Sequence, residues 1–199
     1  MGKWKLLLSG MKNDALLNDQ NSYAPLLHFC PHLICSTHVA GTTCGAQYGV
    51  SSSCKLCAVK VLNASGSGTN SGVIAGINHV LAKCPAASRC VTNMSLGGGK
   101  SDALNFAVNN AVSKGVVMVV AAGNSQADAC NYSPASATSA ITVGSTSKTD
   151  MRSWFSNMGA CVDVYAPGEG ITWAWNSSPT ATNMISETSM ATPRKFSFH

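Results

Sequence analysis

The sequence predicts an α/β fold in which a parallel sheet carries helices on both faces. Three short apolar runs, 56–62 (LCAVKVL), 90–96 (CVTNMSL) and 116–122 (VVMVVAA), read as buried strands. The two stretches between them repeat their apolar residues at helical spacing. Each run is followed by glycine, serine or asparagine, residues that turn a strand into a loop. A strand, a helix and a second strand return to one sheet in parallel through a right-handed crossover.

Taken in order, residues 1–36 show no sustained period of 2 or 3.6, so no element is assigned there and 1–34 is expected to pack poorly. After the 56–62 run, Asn-Ala-Ser-Gly-Ser-Gly forms a loop. Ser71–Lys83 then places Val73, Ile74, Ile77, Val80 and Leu81 on one helical face. The 90–96 strand ends in three glycines. Ser101–Lys114 carries Ala103, Leu104, Ala107, Val108, Ala111 and Val112 at helical spacing, with Ser101 as N-cap and Gly115 as stop. Shorter strands are expected at 140–143 and 161–165. One domain suffices for 199 residues.

With 45% hydrophobic and 11% charged residues the chain is too apolar to remain disordered. The net charge of +5 is spread thinly, with no basic run beyond Arg194–Lys195, which argues against nucleic acid as a partner. No stretch approaches the ~20 apolar residues of a membrane span. Nine cysteines read as disulfides of a secreted protein. Cys54-Lys-Leu-Cys57 lacks a second pair at zinc spacing, and the odd count leaves one thiol unpaired or joined outside the chain. Leu6-Leu7-Leu8 falls short of the roughly 7–15 apolar residues of a signal peptide. Asn63, Asn93, Asn131 and Asn176 each open an Asn-x-Ser/Thr triplet that permits glycosylation.

In an open parallel sheet the ligand site lies beyond the carboxyl ends of the strands, here the loops at 95–100 and 122–125 and the segment near Ser189. Two nucleotide-binding patterns fail on spacing. A phosphate loop ending Gly99-Lys100-Ser101 needs glycine where Met94 stands, and Gly66-Ser-Gly68 needs glycine where Ser71 stands. Ser186-Glu-Thr-Ser189-Met-Ala-Thr-Pro193 sets a serine among small residues with a proline where a helix would begin. A serine at a helix N-terminus aims its own N–H at the space its oxygen would attack, a usable oxyanion donor. Taken alone, the segment reads equally as a helix cap by Thr188 or Ser189.

Several segments resemble, in order, those of subtilisin-like serine proteases (subtilases), closest to the proteinase K and aqualysin branch. They are Thr37-His-Val-Ala-Gly-Thr42, Ser95-Leu-Gly-Gly98, Val119-Val-Ala-Ala-Gly123-Asn124, Asn131-Tyr-Ser-Pro-Ala135, Phe155-Ser-Asn157, Tyr165-Ala-Pro-Gly168 and Thr188-Ser-Met-Ala-Thr-Pro193. The resemblance covers 37–193 and implies a three-layer α/β/α fold, incomplete at both ends. Residues 1–36 then form an unrelated or disordered segment and 194–199 a tail outside the family. Ser189 matches the nucleophile and the Asn124 side chain the oxyanion-hole donor. Ser95, Leu96 and Gly97 match the edge that pairs with substrate, with Gly98 and Ala122 near the pocket. Asp163 matches a calcium-ligating aspartate, its partners the carbonyls of Thr138 and Ala140. The chemistry itself needs no cofactor. Cys130 and Cys161 match a disulfide pair, and Cys84 a cysteine whose partner lies in a segment this chain lacks. The family is secreted, acts on peptides or proteins, and works as a monomer.

The resemblance also implies what is missing. The base should be the first histidine of Gly-His-Gly-Thr-His, but the frame here is Ile34-Cys35-Ser36-Thr37-His38. Cys35 therefore stands at the base position, and His38 matches a second histidine without a catalytic role. None of the aspartates at 14, 19, 102, 128, 150 and 163 ends an apolar strand before Thr-Gly or Ser-Gly, as the orienting aspartate does. Glu187 replaces a glycine two before Ser189, and no helix is expected to hold Ser189 beyond Pro193. A serine peptidase by ancestry that does not turn over is the resulting expectation. A peptide-binding remnant and a truncated gene product are the alternatives.

Overall fold

A computed structural model describes residues 5–8, 34–44, 49–50, 55–63, 65–84, 90–174 and 181–195. Four parallel strands build the central sheet in the order β3 (Val91–Met94), β5 (Val117–Ala121), β7 (Ile141–Thr146) and β8 (Val164–Pro167). A second parallel pair, β1 (Lys5–Leu8) and β2 (Lys55–Ala58), runs beside it, with Cα atoms of β1 within 8 Å of β3. Lys5–Leu8 therefore corrects the expectation that 1–34 contributes no element. Its three leucines, too few for a signal peptide, suffice for a four-residue strand once a neighbour supplies backbone partners.

The helices divide between the two faces. α2 (Asn70–Lys83) and α3 (Asp102–Ser113) pack on one, α1 (Ile34–Cys44) and α4 (Thr188–Lys195) on the other. Strand β5 separates two cores by its period of two. Met118 and Val120 face Val73, Ile77, Leu104, Val108 and Ala111, whereas Val119 faces Val39, Ala40, Met190 and Ala191. Both faces of the central strand are dry, which is why its sequence is uniformly apolar.

The caps follow the sequence. Thr69 accepts from the Gly72 N–H, and Ser101 accepts from the Leu104 N–H. At the end of α3, Gly115 (φ +89°) donates to Val112 O at 2.9 Å and Val116 to Ala111 O at 3.1 Å, a Schellman stop. α1 was not anticipated because its residues carry no apolar period. Thr42 and Thr43 turn their hydroxyls back onto the carbonyls of His38 and Val39, and packing against α4 supplies the helix its stability.

Two short antiparallel pairs complete the fold. β4 (Gly98–Gly99) pairs with β6 (Tyr132–Ser133), and β9 (Ile171–Ala174) with β10 (Thr182–Ile185). Among the described residues no helix is long and apolar enough to cross a membrane.

Cys130 and Cys161 form the expected bridge, with Cα atoms 5.3 Å apart. The expectation for Cys84 is corrected. It joins Cys90, its neighbour across the α2–β3 connection, at a Cα separation of 6.2 Å that a disulfide spans. Cys44 is also disulfide-bonded, and Cys57 is an exposed free thiol. The Cys130–Cys161 bridge closes a loop of 31 residues, so the double alanine variant should lose roughly 3–4 kcal/mol of unfolding free energy in denaturant titrations.

Candidate active site

The loops after β3 and β5 and the start of α4 converge at the carboxyl ends of adjacent strands, as the topology requires. Ser189 is the second residue of α4, 7% exposed. The expectation that no helix holds it is thus corrected. α4 runs eight residues and keeps Pro193 inside it.

That proline has a local consequence. The residue four after Ser189 has no N–H, so the Ser189 carbonyl receives no helical hydrogen bond from it. The Ser95 hydroxyl takes that place, donating to Ser189 O at 2.9 Å, and is itself held by Asn93 Nδ2 at 2.9 Å. Both side chains are buried. Ser95, expected from the sequence to contribute its backbone, reaches Ser189 through its side chain.

The other side of Ser189 is fixed by Thr188. Asn124 Oδ1 accepts from the Thr188 N–H and from its hydroxyl, each at 2.8 Å. With its oxygen committed, the Asn124 carboxamide presents Nδ2, which takes no partner among the described residues, on an exposed side chain. The Ser189 N–H lies in the first turn of α4, where intrahelical acceptors are lacking. A side-chain amide and a backbone N–H are the kinds of donor an oxyanion takes.

The Asn124 loop is held from below by Asn157, which the sequence reading noted only as part of a motif. Its Oδ1 accepts from Ser125 and Ala127, and its Nδ2 donates to Ala122 O at 2.8 Å. Gly123 has φ +103°, and a Cβ there would meet Asn157 Nδ2 at 2.5 Å, so only glycine fits. A Cβ at Gly168 would press on the Ser145 hydroxyl and the Glu187 carbonyl, and the Glu187 N–H bonds Gly168 O. Ala122 is fully buried, Leu96 half-buried, and Gly97 and Gly98 are exposed, Gly98 within β4.

His38 lies in the interior, tied to the backbone of β9. It is fully buried, and Nε2 bonds the Ile171 carbonyl at 3.1 Å, which assigns the proton to that nitrogen. Burial pushes the imidazole pKa below 6.5, opposed by the carbonyls of Ile171 and Asn183 and reinforced by the charge of Arg194. Cys35 lies in the first turn of α1, and its side chain falls outside the described residues.

Asp163 is exposed and accepts the Thr142 N–H on Oδ2 at 2.7 Å, leaving Oδ1 without a partner among the described residues. Thr138 is exposed too, and Ala140 is buried just before β7.

These features set Ser189 and the Asn124 loop side by side at the carboxyl edge of a parallel α/β sheet. Residues 36–194 match the subtilase family. The chain is 58% identical over 162 residues to an extracellular serine proteinase of Thermus sp. (strain Rt41A). It is 57% identical over 157 residues to alkaline serine exoprotease A of Vibrio alginolyticus. Each match covers 79% of this chain, but only 38% and 29% of those relatives. A solved cold-adapted subtilisin-like serine proteinase superposes with a TM-score of 0.79 at 44% identity, covering 96% of this chain and 71% of that one. The chain belongs to the subtilase family.

Two outcomes follow from this geometry. Ser95→Ala leaves a buried carbonyl without its donor and should cost about 1–3 kcal/mol in denaturant unfolding, whereas Ser95→Thr, which keeps the hydroxyl, should cost less. His38 is neutral in the folded protein at pH values where the unfolded chain protonates it. Stability should therefore be full above pH 6.5 and fall as pH drops below it, by at most about 1.4 kcal/mol per unit. The difference between the wild-type and His38→Gln pH profiles isolates that slope.

Proposed function

We propose that this chain is a subtilisin-type serine peptidase domain that binds an extended peptide at 95–98 but does not, by itself, hydrolyse it. Ser189 is the nucleophile and Asn124 Nδ2 the oxyanion donor. The observation that carries this reading is the pair of hydrogen bonds that Thr188 donates to Asn124 Oδ1, which leaves the amide donor Nδ2 uncommitted. Ser95, Leu96 and Gly97 offer backbone groups to a substrate strand, and Gly98 and the backbone at Ala122 flank its side chain. Acyl transfer needs a base for the Ser189 proton and a carboxylate to orient that base. Cys35 occupies the sequence position of the base, and the tethered, buried His38 cannot replace it.

The partner is a peptide or protein, the site acts in a monomer, and the disulfides suit an extracellular compartment, in line with the similarity to the extracellular Thermus proteinase. A structural calcium at Asp163, with the Thr138 and Ala140 carbonyls, accords with an all-oxygen donor set and the uncommitted Oδ1. Calcium should raise the melting temperature of the wild-type chain and leave that of Asp163→Asn unchanged.

In a subtilisin, loss of the base alone lowers turnover on the order of 10⁶-fold. The purified chain should give no measurable release from a chromogenic peptide and weak or no labelling of Ser189 by a fluorophosphonate. Cys35→His should not restore either, since none of the aspartates stands in the sequence setting of an orienting one. Robust labelling that disappears in Ser189→Ala would overturn the proposal by revealing a base recruited elsewhere.

A further inference from the structure

In three of the four Asn-x-Ser/Thr triplets the asparagine and the hydroxyl residue are both among the described residues, and they differ sharply. Asn93 is 1% exposed and has donated its Nδ2 to the Ser95 hydroxyl, so a glycan there is incompatible with this fold. Asn131 is exposed, but its partner Ser133 is buried. That hydroxyl donates to Ser101 O, accepts from Ser101 N, and is followed by Pro134. It is not available to Asn131.

Asn63 is arranged differently. It is exposed on the connection between β2 and α2, and its Oδ1 accepts from the Ser65 hydroxyl at 2.7 Å and from the N–H groups of Ser65 and Ser67 at 3.0 Å. The loop closes on itself through Asn63 N–H to Ser67 O at 2.8 Å and Gly66 N–H to Asn63 O at 3.1 Å. Gly66, at φ +78° with open space around it, makes that turn possible. Three donors on one amide oxygen polarise the amide and make its N–H more acidic. Nδ2 itself takes no hydrogen bond among the described residues.

We propose that Asn63 is the position at which this chain accepts an N-linked oligosaccharide. The donor is a lipid-diphosphate oligosaccharide. Nδ2 bonds to C1 of the reducing sugar, the C1–O bond to the diphosphate breaks, and lipid diphosphate leaves. The proton lost from Nδ2 passes to a base of the transferase. The turn presents the amide and the hydroxyl of Ser65 together before any enzyme binds, so the folded chain is itself an acceptor. A bulky solvated group suits this exposed loop.

The purified full-length chain, treated with a single-subunit oligosaccharyltransferase and a fluorescent lipid-linked oligosaccharide, should gain one glycan. Peptide mapping with and without amidase release should locate it at Asn63. Ser65→Ala, which keeps Asn63, should lose the modification, Ser65→Thr should retain it, and Asn131→Gln should leave it unchanged. Absence of label on the folded wild-type chain, label that persists in Asn63→Gln, or full modification of Ser65→Ala would each overturn the assignment.

Discussion

The carbonyl of Ser189 is the point on which this site depends. Pro193 denies it the helical N–H it would otherwise receive, and a buried carbonyl left alone is costly. The Ser95 hydroxyl, steadied by Asn93, meets that demand from the end of β3. One hydrogen bond therefore joins the proposed substrate edge to the proposed nucleophile. The proline that weakens the helix is the reason the serine is tied to the sheet.

Around that bond the fold supplies rigidity rather than chemistry. Strand β5 is dry on both faces, so the Gly123–Asn124 turn at its end starts from a fixed strand. Asn157 then satisfies three backbone groups of the 122–127 loop with one side chain. Thr188, fully buried, reaches across to Asn124 and accepts from the Gly123 N–H at 3.2 Å. These part-buried polar contacts interlock, which favours one arrangement of the loop over its alternatives.

What the sequence discloses and what it hides divide along the same line. α2, α3, β3 and β5 were legible because local period, caps and turn residues all agree with the tertiary environment. Ser101 and Gly115 mark the ends of α3 within a residue. α1 was hidden because its threonines and glycine favour no helix; contact with α4 decides its conformation. The strand at Lys5–Leu8 was hidden because four residues carry no period, and the β4–β6 pair because two glycines signal only a loop. Cys84 shows the cost of reading a pairing from resemblance when a nearer cysteine stands six residues away. Ser189, Asn124 and the 95–98 edge were legible through motifs. The roles of Ser95 Oγ, Thr188 and Asn157 were not, since each rests on contacts between residues dozens of positions apart.

The central claim is a peptide site that binds without turnover. Amide hydrogen exchange over residues 95–97, with and without a saturating extended peptide whose integrity is followed by mass spectrometry, tests it most directly. The account predicts slower exchange along that edge and a peptide recovered intact. Unchanged exchange, or a peptide returned in fragments, would contradict it.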